Sequence, residues 1–587
     1  MGLALPAALR ADPVARLSTP AADAVREALQ REIYGLETDR RELLAAAAEQ
    51  APQYGPARWH LGFVQDGKHG WLQHEAVLQS PKLFQELTAY ERQRSKAFDT
   101  VAGQLALAEW CREHELADQA RAHLTRVIDL NPDHALARAH LGFVRQNGGW
   151  VSSAEINRDA TQESARQAAL RVWQPRIAAI RKDLEHRSQE RREFAQNRLA
   201  EIVDPAAVPA IEAVFADASE DVAVHALDAL AKISDPEASL ALARFAAYSP
   251  GQTVREAAAK RLGKRELESY VPQILASMYS PLVSRFMAVT LPTGRIGYRH
   301  AFVRETHDRQ ELLLLDTEYR RQALIGGSRG ESTSRALDQA ADLARQREQA
   351  AAAQNEWINR VNDRLAWVLQ TATGQNLPAA PEAWWNWWNE RNEVFLAGSK
   401  PVNTIQQTSQ VTIVDSVLIG TSGQLGTSGS STPTPQTHEC LAAGTLVWTV
   451  KGPWEIDQVR VGDLVLAQHP ETGELAFKPV LRTTVRPKGR LINLQSGGES
   501  CQCSGGHPFW VAGEGWVKAR ELRSGQVLHG AMGPVQISSV EPSIEAETYN
   551  LVVADFHTYF VGYRKVLSHD NSVRAPTRAI VPGLTPQ

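Results

Sequence analysis

Cys440-Leu441-Ala442-Ala443-Gly444-Thr445-Leu446-Val447 opens a segment that passes through Ser504-Gly505-Gly506-His507-Pro508-Phe509-Trp510-Val511 and closes on Val566-Leu567-Ser568-His569-Asp570-Asn571-Ser572. Tyr549-Asn550-Leu551 and Phe556-His557-Thr558-Tyr559-Phe560-Val561-Gly562 precede the close. A thiol leads, a histidine stands in the middle just before an apolar run, and a His, an Asn and a hydroxyl end the segment. Short apolar runs at 446–450, 464–467, 491–494, 509–511, 549–553 and 559–561 alternate with turn residues such as Asp463 and Gly473. That pattern predicts an all-β module of many short strands, a layout able to bring first, middle and last residues together.

The order and spacing of these motifs resembles the Hint (hedgehog/intein) family, and within it the intein-like domains of bacterial polymorphic-toxin-type proteins. The resemblance covers 440–572 and nothing upstream, and leaves no room for the homing endonuclease of larger inteins. It implies autocatalytic cleavage or protein splicing. Cys440 would attack the carbonyl of Glu439 and turn the amide into a thioester, because a thiol is both a strong nucleophile and a good leaving group. His507 would protonate the departing nitrogen. Ser504 stands where the family's Thr-x-x-His motif has the threonine that orients the scissile amide, and it keeps the hydroxyl. Asn571 would cyclise and cut its bond to Ser572, with His569 as general acid/base, and Ser572 supplies a hydroxyl able to accept the acyl group. His557 resembles the family's additional downstream histidine. Two departures stand out. Asp570 intervenes between His569 and Asn571, where the family commonly has His directly before Asn. Asn550 replaces an Asp that many splicing members use to coordinate the two steps, so cleavage at Cys440 is expected to survive better than full splicing.

A chain of 587 residues exceeds one core, so three or more units are expected. The formal charge of −4 shows no basic excess, and nucleic acid is not an expected partner. No run of about 18 apolar residues exists, so no membrane span is expected. Met1-Gly2-Leu3-Ala4-Leu5-Pro6-Ala7-Ala8-Leu9-Arg10 is apolar but lacks a basic lead. The location is therefore cytoplasmic by default, with export as the alternative should the true N-terminus carry a signal peptide. Cys111, Cys440, Cys501 and Cys503 do not make a disulfide framework. Cys111 reads as a buried small hydrophobe, and Cys501 and Cys503 as strand-packing thiols, with a redox role left as the other reading. No second Cys/His pair at zinc spacing accompanies them, so neither a metal nor a cofactor is implied.

Residues 22–155 show helical periodicity, and an internal repeat pairs Ala57-Arg58-Trp59-His60-Leu61-Gly62-Phe63-Val64 with Ala137-Arg138-Ala139-His140-Leu141-Gly142-Phe143-Val144. The intervening helices resemble tetratricopeptide (TPR) pairs, and His60 and His140 read as packing residues. Residues 185–280 resemble HEAT repeats: Asp204-Pro205 and Asp235-Pro236 mark helix starts, and Val222-Ala226-Leu230 and Val254-Ala258-Leu262 repeat one apolar stripe. Residues 281–330 suggest a small β-insert, with Gly326-Gly327-Ser328-Arg329-Gly330 a turn rather than a phosphate loop. Residues 334–396 read as helix ending in Trp384-Trp385-Asn386-Trp387-Trp388, whose 384, 387 and 388 positions share a face that caps the helical array, with an aromatic binding patch as the other reading. The Ser/Thr/Gly/Pro composition of 397–439 reads as a linker, most flexible at 421–437.

The expected architecture is multidomain: an α-helical solenoid with a small β-insert, then an all-β Hint/intein-like domain. Two functions remain. In one, the protein processes itself at Cys440 and Asn571 and releases a helical part that binds other proteins. In the other, it is a non-enzymatic repeat scaffold carrying a catalytically decayed Hint domain.

Overall fold

The computed structural model describes residues 19–586, apart from 67–69, 80, 147–148, 291–295, 306–308, 321–330, 393, 396–402, 415–416, 425–435 and 438–439. Among the described residues 16 α-helices all lie upstream of residue 392, and none is long and apolar enough to cross a membrane. In the first helical module Pro20–Ile33 packs on Glu37–Gln50, and Val101–Glu113 on Ala117–Leu130. Cys111 is fully buried there, and burial pushes its thiol up to about 12.

The internal repeat forms a helix followed by a hairpin. Helices Gly55–His60 and Ala135–His140 each end just before a glycine at positive φ, Gly62 (84°) and Gly142 (79°). Glycine reaches that left-handed conformation without a Cβ penalty and stops the helix. The following Phe-Val runs are aromatic and β-branched, and they form strands Phe63–Asp66 and Phe143–Gln146 paired with Gly70–Gln73 and Gly149–Ser152. The equivalent tryptophans lock each hairpin back: Trp71 Nε1 donates to Gln53 (3.2 Å), and Trp150 Nε1 to Asp133 (3.1 Å).

The second helical module starts from the 32-residue helix Ser153–Leu184. Asp204 and Asp235 cap the helical turns that begin at Pro205 and Pro236. Both apolar stripes are buried in one core. Trp384, Trp385 and Trp388 join that core from helix Pro381–Arg391, so Trp385 rather than Trp387 completes the buried set. Strands Val283–Thr290, Ile296–Glu305 and Arg309–Arg320 form the β-insert. The stretch read as a linker adds to it. Asn403–Val414 runs parallel to Arg309–Arg320 and pairs with Val417–Gln424, giving a five-stranded sheet. Small polar composition hid the alternating Thr, Val and Ile of 404–414 that favour a strand.

The C-terminal module is one antiparallel sheet of 12 strands. Its strands are not all short. Leu475–Ser496 and Val535–Val553 form a long ribbon, with register shifts between Val480 and Arg482 and between Arg486 and Gly489 that bend it. Val447 pairs with Val561, so the two ends of the strand order meet. The enclosed core includes Leu441, Val465, Cys503, Phe509, Leu551 and Tyr559.

Both helical modules lie against this sheet, the second through Arg391 of helix Pro381–Arg391, which meets Glu521 at 3.3 Å, and the first through three ion pairs. Arg94 pairs with Asp463 (2.8 Å), Asp129 with Arg482 (2.7 Å), and Glu75 with Lys565 (2.6 Å). Glu32, fully buried, contacts both Arg40 (2.6 Å) and His529. Buried His60 packs edge-on to His529 with ring centres 6.0 Å apart. The repeated histidines therefore differ, since His140 is exposed and contacts Arg112 at 3.2 Å.

Candidate active site

Cys440 is 1 % exposed. The adjacent Leu441 pairs with Cys503 on one side and Tyr549 on the other. This register sets Cys440 across from Ser504. The Cys440 N–H donates to Ser504 Oγ (3.1 Å), and the Ser504 N–H donates to the Cys440 carbonyl (2.8 Å). The first of these N–H groups belongs to the amide between residues 439 and 440. Glu439 itself lies outside the described residues. The turn from Ser504 is closed by the His507 N–H on the Ser504 carbonyl (3.1 Å). His507 is fully buried, lies edge-on to Phe509 (5.0 Å), and places Nε2 2.7 Å from Ser568 Oγ. Ser568 is delivered by strand Val566–His569, in which it pairs with both Phe509 and Tyr559.

At the other junction, the buried His569 donates from Nδ1 to the Asp570 carbonyl (2.8 Å). Burial drives its pKa down to about 4, against the pull of Asp570. It is therefore neutral at neutral pH, with Nε2 left as an acceptor. The sequence places His569 at the Asn571 bond, whereas its Nδ1 reaches the carbonyl one residue earlier. Asp570 is fully buried. Its Oδ2 accepts from the Val553 N–H (2.7 Å) and His557 Nδ1 (3.2 Å), and its Oδ1 accepts from the Ser572 N–H (2.8 Å) and the Ser572 hydroxyl. Burial alone would raise this carboxyl, but His557, His569 and Ser572 together hold it below the usual range. The hydrogen bond to Asp570 raises His557 in turn, outweighing desolvation. His557 sits at φ +56°, a strained position for a non-glycine residue, and its carbonyl receives the Asp570 N–H (2.9 Å). Asn571 is 2 % exposed, held by its N–H on the Leu551 carbonyl (2.7 Å) and its Nδ2 on Thr484 Oγ1 (3.1 Å).

Residues not chosen from the sequence link the two junctions. Tyr559 pairs with Ser568 across adjacent strands and donates to Asn550 Oδ1 (2.7 Å), and burial raises its phenol well above the ordinary value. Asn550 also accepts from the Leu551 N–H (2.7 Å). Thr484 pairs with Asn550 across the long ribbon and donates to its carbonyl (3.2 Å). A line of polar residues thus runs from His507 through Ser568, its strand partner Tyr559, Asn550 and Thr484 to Asn571. The structure gathers Cys440, Ser504 and His507 at one end, and His557, His569, Asn571 and Ser572 around Asp570 at the other. Asp570 is an organising residue where the sequence suggested an interruption. Ser568 carried one local signal, a hydroxyl directly before His569 in the closing motif. Nothing in the local sequence marks Thr484.

The sheet closing on itself, with its leading cysteine paired across from Ser504 and its terminal asparagine buried beside Thr484, defines a Hint/intein-like domain at the C-terminus. More narrowly, the Pretoxin HINT domain family matches residues 446–572. Among solved structures, the bacterial intein-like domain from Clostridium thermocellum is 37% identical, with 22% of this chain and 99% of that chain covered and a TM-score of 0.22. The gp41-1 intein is 24% identical over 22% of this chain and 98% of its own, with a TM-score of 0.20. A DnaB intein from Synechocystis sp. PCC 6803 is 17% identical over 22% and 98%, with a TM-score of 0.21. No curated protein matches this chain.

Proposed function

We propose that the protein cuts itself at the 439–440 bond, and that the fixed orientation of this amide against Ser504 is the observation that supports it most directly. Cys440 Sγ attacks the Glu439 carbonyl carbon, the carbon–nitrogen bond breaks, and the nitrogen takes a proton to become the free α-amine of Cys440. His507 is the motif residue that supplies that proton, its turn starting from the Ser504 that holds the amide. The thioester then passes its acyl group to water or to a thiol. The TPR-like and HEAT-like arrays upstream serve as protein-binding surfaces.

Asn571 gives a second cut. Its Nδ2 leaves Thr484 and attacks its own carbonyl carbon, the bond to Ser572 breaks, and a succinimide and a free Ser572 amine result. His557, raised by Asp570, is the available acid at this end, and neutral His569 an acceptor. Asn550, which carries no charge and is occupied by Tyr559 and Leu551, favours cleavage over coordinated splicing.

Intact mass with and without dithiothreitol tests this for the wild type and Cys440→Ala. Fragments 1–439 and 440–587 in the wild type alone, increasing with thiol, are expected. A mass for 1–439 joined to 572–587 would establish splicing. One full-length mass in both proteins would leave the non-enzymatic scaffold as the function.

A further inference from the structure

The segment after Asn571 is built into three modules at once. Ala579, Val581 and Leu584 are 3 %, 0 % and 6 % exposed. Val581 and Leu584 sit in one apolar cluster with residues of the first two helices, among them Val25, Leu29 and Leu44. Ala579 packs instead with Trp510 and Phe560 of the Hint/intein-like sheet. The backbone is fixed as well. Gly513 donates to the Ile580 carbonyl (2.8 Å), Gly583 donates to the Pro470 carbonyl (3.0 Å), and a tight turn closes from Leu584 to Val581 (2.7 Å). Two arginines reach the second helical module: Arg574 meets Glu268 at 2.9 Å with its side chain 7 % exposed, and Arg578 meets Asp235 at 3.3 Å.

A connector needs only to leave its domain. This one buries apolar side chains between two modules and pairs its cations with a third. We infer that the helical modules and the Hint/intein-like sheet together form a peptide-binding clamp whose ligand is the chain's own segment 573–586. Breaking the 571–572 bond then yields a nicked complex, and the downstream piece leaves only when the first helices lift. Buried apolar contacts resist salt, while the two arginine pairs are screened by it. Retention should therefore persist at high ionic strength.

The clamp is independent of the autoprocessing reading and is tested without it. A site-specific protease sequence is inserted between Ser572 and Val573 in the full chain carrying Cys440→Ala and Asn571→Ala. After protease treatment, size exclusion and native mass spectrometry report whether the released peptide stays with the body. Co-elution is expected at low-micromolar protein and in 1 M salt. With Val581→Ser and Leu584→Ser in the tail, which leave the rest of the core sequence untouched, release should be at least about tenfold faster, equivalent to about 1.4 kcal/mol. Arg574→Ala should speed release less, and only at low salt. A wild-type peptide that leaves as fast as the double-serine peptide would overturn the clamp. Absence of autocatalysis in the unmodified protein would overturn the proposed function and leave this result standing.

Discussion

Asp570 accepts four hydrogen bonds, and these make its replacement diagnostic. In Asp570→Asn one oxygen becomes an NH2 that faces donors, leaving buried groups unsatisfied at roughly 1–3 kcal/mol. The same change removes the charge that raises His557. Its titration, followed by NMR, should move down, while an unchanged His557 would show that Asp570 does not set it. The signs of the pH dependence follow. His557 contributes stability below its ordinary 6.5 and loses it as pH rises through its raised value. Asp570 contributes above its ordinary 3.8 and loses its share as pH falls below that. His569, held neutral to about 4, costs stability as pH falls from 6.5 toward 4. At Ser504 the hydroxyl itself is at stake. Ser504→Ala should slow thiol-induced cleavage at 439–440 by on the order of 10–100-fold, whereas Ser504→Thr retains an acceptor for the scissile N–H. Equal rates in alanine and threonine variants, measured by mass over time, would remove Ser504 from the reaction.

The two long strands act as an arm that carries Thr484 to Asn571. Thr484→Val keeps shape and β-branching but deletes the acceptor for Asn571 Nδ2. The strand should persist with a loss of about 1 kcal/mol, while cleavage at 571–572 changes and cleavage at 439–440 does not. A variant altering both cuts equally would mean that the ribbon supports the fold only. This arm also shows where sequence reading runs out. Cys440, Ser504, His507 and Asn571 were legible because motif order survives without knowledge of pairing. Thr484 was not, because its relevance comes from facing Asn550 across a ladder 66 residues away in sequence. Register shifts between Val480 and Arg482 adjust that pairing, and no local residue signals them. Strand 403–414 was missed for a different reason: a Ser/Thr/Gln-rich composition suits a linker and a solvated strand equally, and only pairing with Arg309–Arg320 decides between them. The proline-led helices at Pro205 and Pro236 were legible since capping is local chemistry.

At the scale of the molecule, Glu32 couples the helical part to the sheet. It is fully buried, bound to Arg40 within its own module and to His529 across the interface. His529 in turn contacts Gln468 Oε1 at 2.7 Å, and His60 packs against its ring. These are the charged and titratable groups that face Glu32. Burial pushes its carboxyl up, yet His529 and Arg40 outweigh this and hold it at about 2, below the reference 4.5. The depressed value means that its stabilisation, on the order of 3 kcal/mol, is complete above about 4.5 and is lost as pH falls toward about 2. Glu32→Gln leaves the Arg40 charge without its buried counter-charge, which costs roughly 3–5 kcal/mol at neutral pH. Calorimetry should therefore show one joint unfolding transition in the wild type and separate transitions in Glu32→Gln at pH 7. The difference in melting temperature between the two proteins should shrink as pH falls below 4.5, because the wild-type carboxylate is being protonated and the glutamine is not. A difference that stays constant from pH 7 to pH 3 would mean that the carboxylate's charge does not hold the modules together. In that case the apolar cluster around Leu29 and Leu44 would join them, together with the ion pairs Arg94–Asp463, Asp129–Arg482 and Glu75–Lys565.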